Sequence, residues 1–177
     1  MPTSLERARS LVREIPDYPI AGVRFQDLTP LLADAAALSS VTNALAPLAK
    51  EADLIIGIEA RGFIFAAALS QATNRGFVPI RKFGKLPYLT YSQSYGLEYG
   101  EDTLEIHEDA IGAGVRALIV DDVLATGGTA VAAIKLIERS GGIALAIATV
   151  LEISSLGGRA QIANQKSDIA VHSLFQV

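Results

Sequence analysis

Apolar positions along the chain follow two alternating rhythms. Leu54 to Ile58, Phe77 to Arg81, Ala117 to Val120, Ala144 to Leu151 and Ile169 to Leu174 are short β-rich runs, apolar on both faces. Between them, Phe63 to about Thr73 and about Gly128 to Arg139 read as helices, and Gly141-Gly142 ends the second. Such alternation predicts an α/β fold, a central, mostly parallel sheet flanked by helices. Ahead of it, Thr3 and Glu6 form a capping box for a first helix. Leu5, Ala8, Val12 and Ile15 share one face of that helix, and Pro16 stops it. Pro16 to Pro30 carries three prolines and a glycine and reads as an ordered loop. Asp34 caps a second helix running to about Lys50, with Pro47 placed awkwardly near its end. The stretch from Lys85 to about Leu104, rich in Tyr, Ser, Gly and Glu, fits neither rhythm and reads as a functional lid or a hairpin.

At 177 residues, with no repeat, low-complexity tract or linker, residues 1–177 read as one domain. Apolar runs such as Ile143 to Leu151 are far short of a membrane span, and the N-terminus lacks the apolar stretch of a secretory signal. The absence of cysteine excludes disulfides, thiolate catalysis and Cys-ligated metals, and it fits a cytoplasmic protein. A net charge of −4 argues against a general nucleic-acid surface. Charge is unevenly placed, however. Arg61, Arg75, Arg81, Lys82 and Lys85 are unopposed by any carboxylate up to Leu97, and six acidic residues follow between Glu98 and Asp109. These blocks are either two solvated faces or, for the basic one, a seat for a polyanion.

In an open parallel sheet, ligands bind beyond the carboxyl ends of the strands. Glu59-Ala60-Arg61-Gly62, Arg81 to Lys85, Asp121-Asp122 with Thr126-Gly127-Gly128-Thr129, and Glu152 to Gly157 all occupy such ends. The Thr-Gly-Gly-Thr loop enters a helix N-terminus, where free N–H groups favour an anion; a plain tight turn with a threonine cap is the alternative. It lacks the Gly-Lys-Ser/Thr of a P-loop and the spacing of a dinucleotide fingerprint. Asp121 and Asp122 could ligate a metal, act as acid and base, or accept hydrogen bonds from paired hydroxyls. Carboxylates for a vicinal diol followed by a phosphate loop match a ribose 5-phosphate.

Ile119 to Thr129 resembles the signature of the phosphoribosyltransferases that use phosphoribosyl pyrophosphate. Pro19 to Pro30, Glu59 to Phe63, Arg81 to Pro87 and Ser94 to Gly100 narrow the resemblance to the members that act on adenine. The resemblance implies a phosphoribosyltransferase-like sheet with an N-terminal hood, about 1–50, that binds the base, and a flexible hairpin lid, about 86–103. It implies that Asp121 and Asp122 hold the ribose hydroxyls and that Ala125, Thr126, Gly127, Gly128 and Thr129 bind the 5′-phosphate. Glu59, Ala60 and Arg61, with a cis peptide often found there, and Arg81, Lys82 and Lys85 would serve the pyrophosphate. Phe25 would stack on adenine, the backbone of Arg24 and Gln26 would read its edge, and Leu156 would close the far side; Phe25 is equally readable as a core residue. Many relatives carry Arg in place of Gln26. Glu98, in the lid, would be the acid–base residue, with Arg61 as the other catalytic group, and Tyr99 would help close the lid; a solvated Glu98 is the alternative.

The activity so implied forms AMP and pyrophosphate from adenine and phosphoribosyl pyrophosphate, for purine salvage in the cytoplasm. Magnesium would ride on the substrate without direct protein ligands, and the enzyme would be a homodimer. Another purine as acceptor is one alternative. The other is a regulator of the same fold that binds nucleic acid, which the acidic composition and the lack of room for a DNA-binding domain disfavour.

Overall fold

The computed structural model describes residues 4–96 and 101–177. The chain forms two compact units, Met1–Ala44 and Leu45–Val177. Thr3 of the expected capping box, and Glu98 and Tyr99 of the expected lid, lie outside the described residues.

In the first unit the first helix, α1 (Ser4–Ser10), is shorter than its apolar spacing predicted. Arg13–Pro16 is instead a strand, β1, paired antiparallel with β2 (Arg24–Asp27), so the segment read as a loop contains half of a ribbon. Two forces override helical spacing here. Pro16 drives Ile15 toward extended backbone. Cross-strand charges then fix the register: Arg13 pairs with Asp27 at 2.6 Å, and Arg24 with Glu14 at 2.6 Å. Asp27 also accepts from the Thr29 N–H and hydroxyl at the start of an unanticipated short helix, α2 (Thr29–Ala33). Those bonds, together with Arg13, hold its carboxyl down at about 2. Asp34 caps α3 (Ala35–Leu45) by accepting from the Ala37 N–H at 2.9 Å, as its position predicted. Pro47 is accommodated by a 3₁₀ turn, Ala46–Ala49, that replaces the last turn of the expected helix.

The second unit is built on a sheet of seven strands among the described residues, in the order β5-β6-β4-β3-β7-β8-β9. Here β3 is Leu54–Ile58, β4 Gly76–Lys82, β5 Thr90–Gly96, β6 Glu101–His107, β7 Arg116–Leu124, β8 Ile143–Glu152 and β9 Ala170–Gln176. Strands β4, β3, β7, β8 and β9 run parallel, linked through α4 (Gly62–Thr73), α5 (Gly128–Arg139) and α6 (Gly158–Gln165). Buried Ile55, Ile56, Ile58, Leu118, Ile119, Val120, Ile147 and Val150 supply the two-sided apolar strands that the sequence required. The Lys85–Leu104 stretch is partly core rather than wholly lid. Its hairpin β5–β6 joins the sheet through antiparallel pairing of β6 with β4, and it buries Leu104 and Ile106. Apolar alternation over only three positions, 104 to 106, was too short to announce a strand. Among the described residues no helix is long and apolar enough to cross a membrane.

Candidate active site

Strand order switches at β3, with β4 laid on one side and β7 on the other, all three parallel, and this switch point gathers the functional loops. Register carries the argument further. Gly57 lies opposite Val120, so the Glu59-Ala60-Arg61 turn that follows β3 emerges beside Asp121. Ile58 lies opposite Ile80, so Arg81 emerges beside Glu59. Leu124 lies opposite Glu152, so the loop after β7 and the turn after β8 are neighbours.

The two aspartates are not at the end of their strand, as expected, but inside it, since β7 continues to Leu124. Adjacent strand positions point to opposite faces, and the pair divides accordingly. Asp121 faces a recess of about 60 Å³ shared with Ile58, Ile119, Ala125, Gly127 and Thr129. Asp122, with its side chain 9% exposed, brings Oδ2 within 2.6 Å of Arg61 Nε. That approach is a charge contact without hydrogen-bond alignment, and Asp122 Oδ2 is one of two buried side-chain polar atoms among the described residues without a hydrogen bond. Asp121 Oδ1 accepts from the Asp122 N–H at 2.9 Å. Burial, and then the negative charge of Asp122, push the Asp121 carboxyl well above the ordinary range. A carboxylate pair so placed gains from hydroxyl donors, which would relieve its desolvation.

The Thr126 to Thr129 loop is shaped by close backbone approach. Gly127 has φ +86°, and a Cβ there would lie 2.6 Å from the Gly158 carbonyl oxygen. Gly158, at the start of α6, would in turn drive a Cβ into the carbonyl of Ala125. These glycines let two loops interlock beneath the N-terminus of α5, a twelve-residue helix whose free N–H groups face this end. Gly158 was not anticipated, although a glycine pair between a strand and a helix, like Gly127-Gly128, was the available signal. The turn carrying Gly158 is pinned by Glu152, which accepts from both Arg159 Nε (3.2 Å) and Nη2 (2.6 Å). Arg159 holds that carboxyl below its ordinary range. Leu156, in the same turn, is exposed.

The cationic turn behaves differently from expectation. Arg81 does not project freely: its guanidinium donates to both oxygens of Glu59 at 3.2 Å and to the Lys85 carbonyl at 3.1 Å. Glu59 also accepts from the Lys82 N–H at 2.9 Å. Burial alone would raise this carboxyl, but Arg81 and the Lys82 amide outweigh it and hold it low. The Glu59–Ala60 peptide is cis. Lys82 Nζ lies 2.9 Å from Asp102 Oδ2, an acidic partner on β6 that only the hairpin register reveals. Lys85 is exposed at the end of the turn.

On β2, Phe25 is half-buried and meets Tyr18 edge-on at 5.2 Å, so it is not a core residue. The Arg24 and Gln26 side chains both bond Glu14, and both residues lie in the β1–β2 ladder.

Comparison with known proteins agrees with this geometry. The phosphoribosyl transferase domain family matches residues 24–172. An adenine phosphoribosyltransferase of Salinispora arenicola is 49% identical over 174 residues, covering 97% of this chain and 90% of its own. The crystal structure of adenine phosphoribosyltransferase from Rhodothermus marinus superposes with a TM-score of 0.91 at 45% identity, covering 99% of both chains. That from Saccharomyces cerevisiae, complexed with an imino-altritol bisphosphate and adenine, has a TM-score of 0.89 at 34% identity, covering 97% of this chain and 98% of its own.

Proposed function

The chain belongs to the phosphoribosyl transferase domain family, and on that premise we infer that it transfers the 5-phosphoribosyl group of phosphoribosyl pyrophosphate to adenine. The products are AMP and pyrophosphate, the reaction of purine salvage. The observation that carries this reading is the Asp121–Asp122 pair, Asp122 buried and Asp121 partly so, beside the glycine-shaped loop at the α5 N-terminus. Its test is the appearance of AMP when purified protein meets both substrates.

The roles of individual residues follow from the chemistry. Asp121 and Asp122 accept the ribose 2′ and 3′ hydroxyls, and Ala125 to Thr129 hold the 5′-phosphate through backbone N–H groups and threonine hydroxyls. N9 of adenine attacks the anomeric carbon, the bond to pyrophosphate breaks, and the departing oxygen keeps the electron pair. Positive charge grows on the ribose in the transition state, where the fixed carboxylates stabilise it. Arg61, Lys82 and Lys85, with the backbone at Glu59-Ala60, meet the leaving group. Arg81, committed to Glu59, shapes that turn. Glu98 exchanges the purine proton, and Tyr99 closes beside it. Phe25 stacks on the base, the backbone of Arg24 and Gln26 reads its edge, and Leu156 packs against the ring.

No cluster of three or more His, Asp or Glu suited to a metal occurs among the described residues. The hard oxygens of Asp121 and Asp122 fit a place beside magnesium carried in on the substrate, and such an ion would supply positive charge to offset the departing pyrophosphate. We read residues 1–177 as one catalytic domain, with a base-binding segment at about 1–50 and a lid at about 86–103. It works as a homodimer in the cytoplasm, without nucleic acid or membrane partners.

A further inference from the structure

Glu105, on β6, is 5% exposed, and the reading above leaves its carboxyl without a task. Three neutral groups donate to it. From the facing strand β5, the Ser92 hydroxyl reaches Oε1 at 3.0 Å and the Thr90 hydroxyl reaches it at 3.3 Å. The Gly84 N–H reaches Oε2 at 2.9 Å. Pairing within the hairpin does not call for a carboxyl. At the next rung of the same face, Ser94 and Thr103 bond through their hydroxyls at 3.0 Å. A buried carboxyl costs more to desolvate than a hydroxyl, so its second oxygen needs another reason. That oxygen goes to the cationic turn. The Phe83 N–H donates to the Thr103 carbonyl at 3.0 Å, and the Lys85 N–H closes the turn on the Lys82 carbonyl at 3.2 Å. Between them stands Gly84, at φ +73°, whose N–H has Glu105 as its partner.

We propose that Glu105 is a positioning residue for pyrophosphate: by holding the Gly84 amide, it fixes the turn that presents Lys82 and Lys85. The proposal rests on the phosphoribosyltransferase reading of that turn. Glu105 sits opposite Arg81 in the β4–β6 ladder, and Arg81 in turn donates to the Lys85 carbonyl. The turn is therefore tied at its middle by one side chain and at its end by the other. A turn fixed before its ligand arrives loses less freedom on binding, so affinity rises without any contact between Glu105 and the ligand. The ribose 5-phosphate subsite is built from β7 and the loop into α5, contains neither Gly84 nor Glu105, and does not share the effect.

Two substitutions separate positioning from a role in folding alone. Glu105→Thr repeats the Ser94–Thr103 rung opposite Ser92 and is too short to reach Gly84. Glu105→Gln keeps a carbonyl oxygen for the Gly84 N–H, and its amide can donate to both hydroxyls. Pyrophosphate and ribose 5-phosphate are titrated separately into each protein by calorimetry at constant magnesium. Glu105→Thr is expected to weaken pyrophosphate by about tenfold, while ribose 5-phosphate changes by less than about threefold. Glu105→Gln is expected to keep pyrophosphate affinity within about threefold of the unmodified protein. Unchanged pyrophosphate affinity in Glu105→Thr overturns the proposal. So does equal weakening of both ligands, loss of cooperative melting, or a Glu105→Gln protein as weak as Glu105→Thr. If the unmodified protein binds neither ligand, the phosphoribosyltransferase reading itself falls, and this proposal with it.

Discussion

Arg61 Nε stands 2.6 Å from Asp122 Oδ2, across the junction of β3 and β7, and it joins the two motifs with the strongest chemistry in the chain. The pair is what parallel register demands, since Gly57 opposite Val120 sets the turn after β3 against the aspartates. Asp122 is buried and Arg61 about a third exposed, so the guanidinium is the partner able to meet a ligand. Asp122→Asn removes the charge with little change of shape. It is expected to lower kcat/KM for phosphoribosyl pyrophosphate by about a hundredfold, the scale of losing one preorganised electrostatic contact. Steady-state kinetics together with a far-UV melt check this, and near-normal activity would remove the ribose assignment.

Asp121 offers the opposite experiment. Its folded-state pKa is raised, so its contribution to stability is present at low pH and is lost as pH climbs from the ordinary carboxylate value of 3.8 through the raised one. Asp121→Asn abolishes that loss. The ligand-free variant is expected to melt higher than the unmodified protein near pH 7, by about 2–4 °C for each kcal/mol relieved in a chain of this size. The gap should shrink toward pH 4. Melting curves across that range decide it, and a variant less stable at every pH contradicts the cause given for the shift.

The interlock between Gly127 and Gly158 makes a prediction far from any reacting atom. Gly158→Ala forces a methyl group toward the Ala125 carbonyl and displaces the phosphate loop. A displacement of about 1 Å is worth about a hundredfold in kcat/KM. The loss should appear with phosphoribosyl pyrophosphate varied, while KM for adenine moves little. An equal effect on both substrates would mean general unfolding instead.

How much of this was legible beforehand depended on the range of the interaction. Leu54–Ile58 and Gly128–Arg139 announce themselves because their apolar pattern is local and uninterrupted. Arg13–Pro16 does not, because its partners lie eight to fourteen residues away and cross-strand charges decide its form. The same division holds within the site. Asp121, Asp122 and the glycine loop sit together in sequence, so their joint chemistry could be read directly. The commitment of Arg81 to Glu59, the Lys82–Asp102 pair and the packing of Gly158 each depend on strand register. No spacing rule reports register between segments twenty or more residues apart.

Glu98 is assigned by resemblance, which makes its test specific. Glu98→Ala is expected to reduce kcat by about a hundredfold or more, within the range of general acid–base catalysis. KM for phosphoribosyl pyrophosphate should change little. Single-turnover measurements that show unaltered chemistry would reassign the proton transfer to another group.

The central claim is that this chain places a phosphoribosyl group on adenine, and a competition measures it most directly. Equal concentrations of adenine, hypoxanthine and guanine are mixed with limiting phosphoribosyl pyrophosphate and magnesium, and the nucleotides are separated by chromatography. The expected product is AMP, formed one for one with pyrophosphate, with the inosine and guanosine monophosphates trailing by at least about a hundredfold, because a site built for one set of base-edge hydrogen bonds leaves polar groups unpaired with the others. Inosine or guanosine monophosphate as the main product, or release of ribose 5-phosphate without any nucleotide, would contradict it.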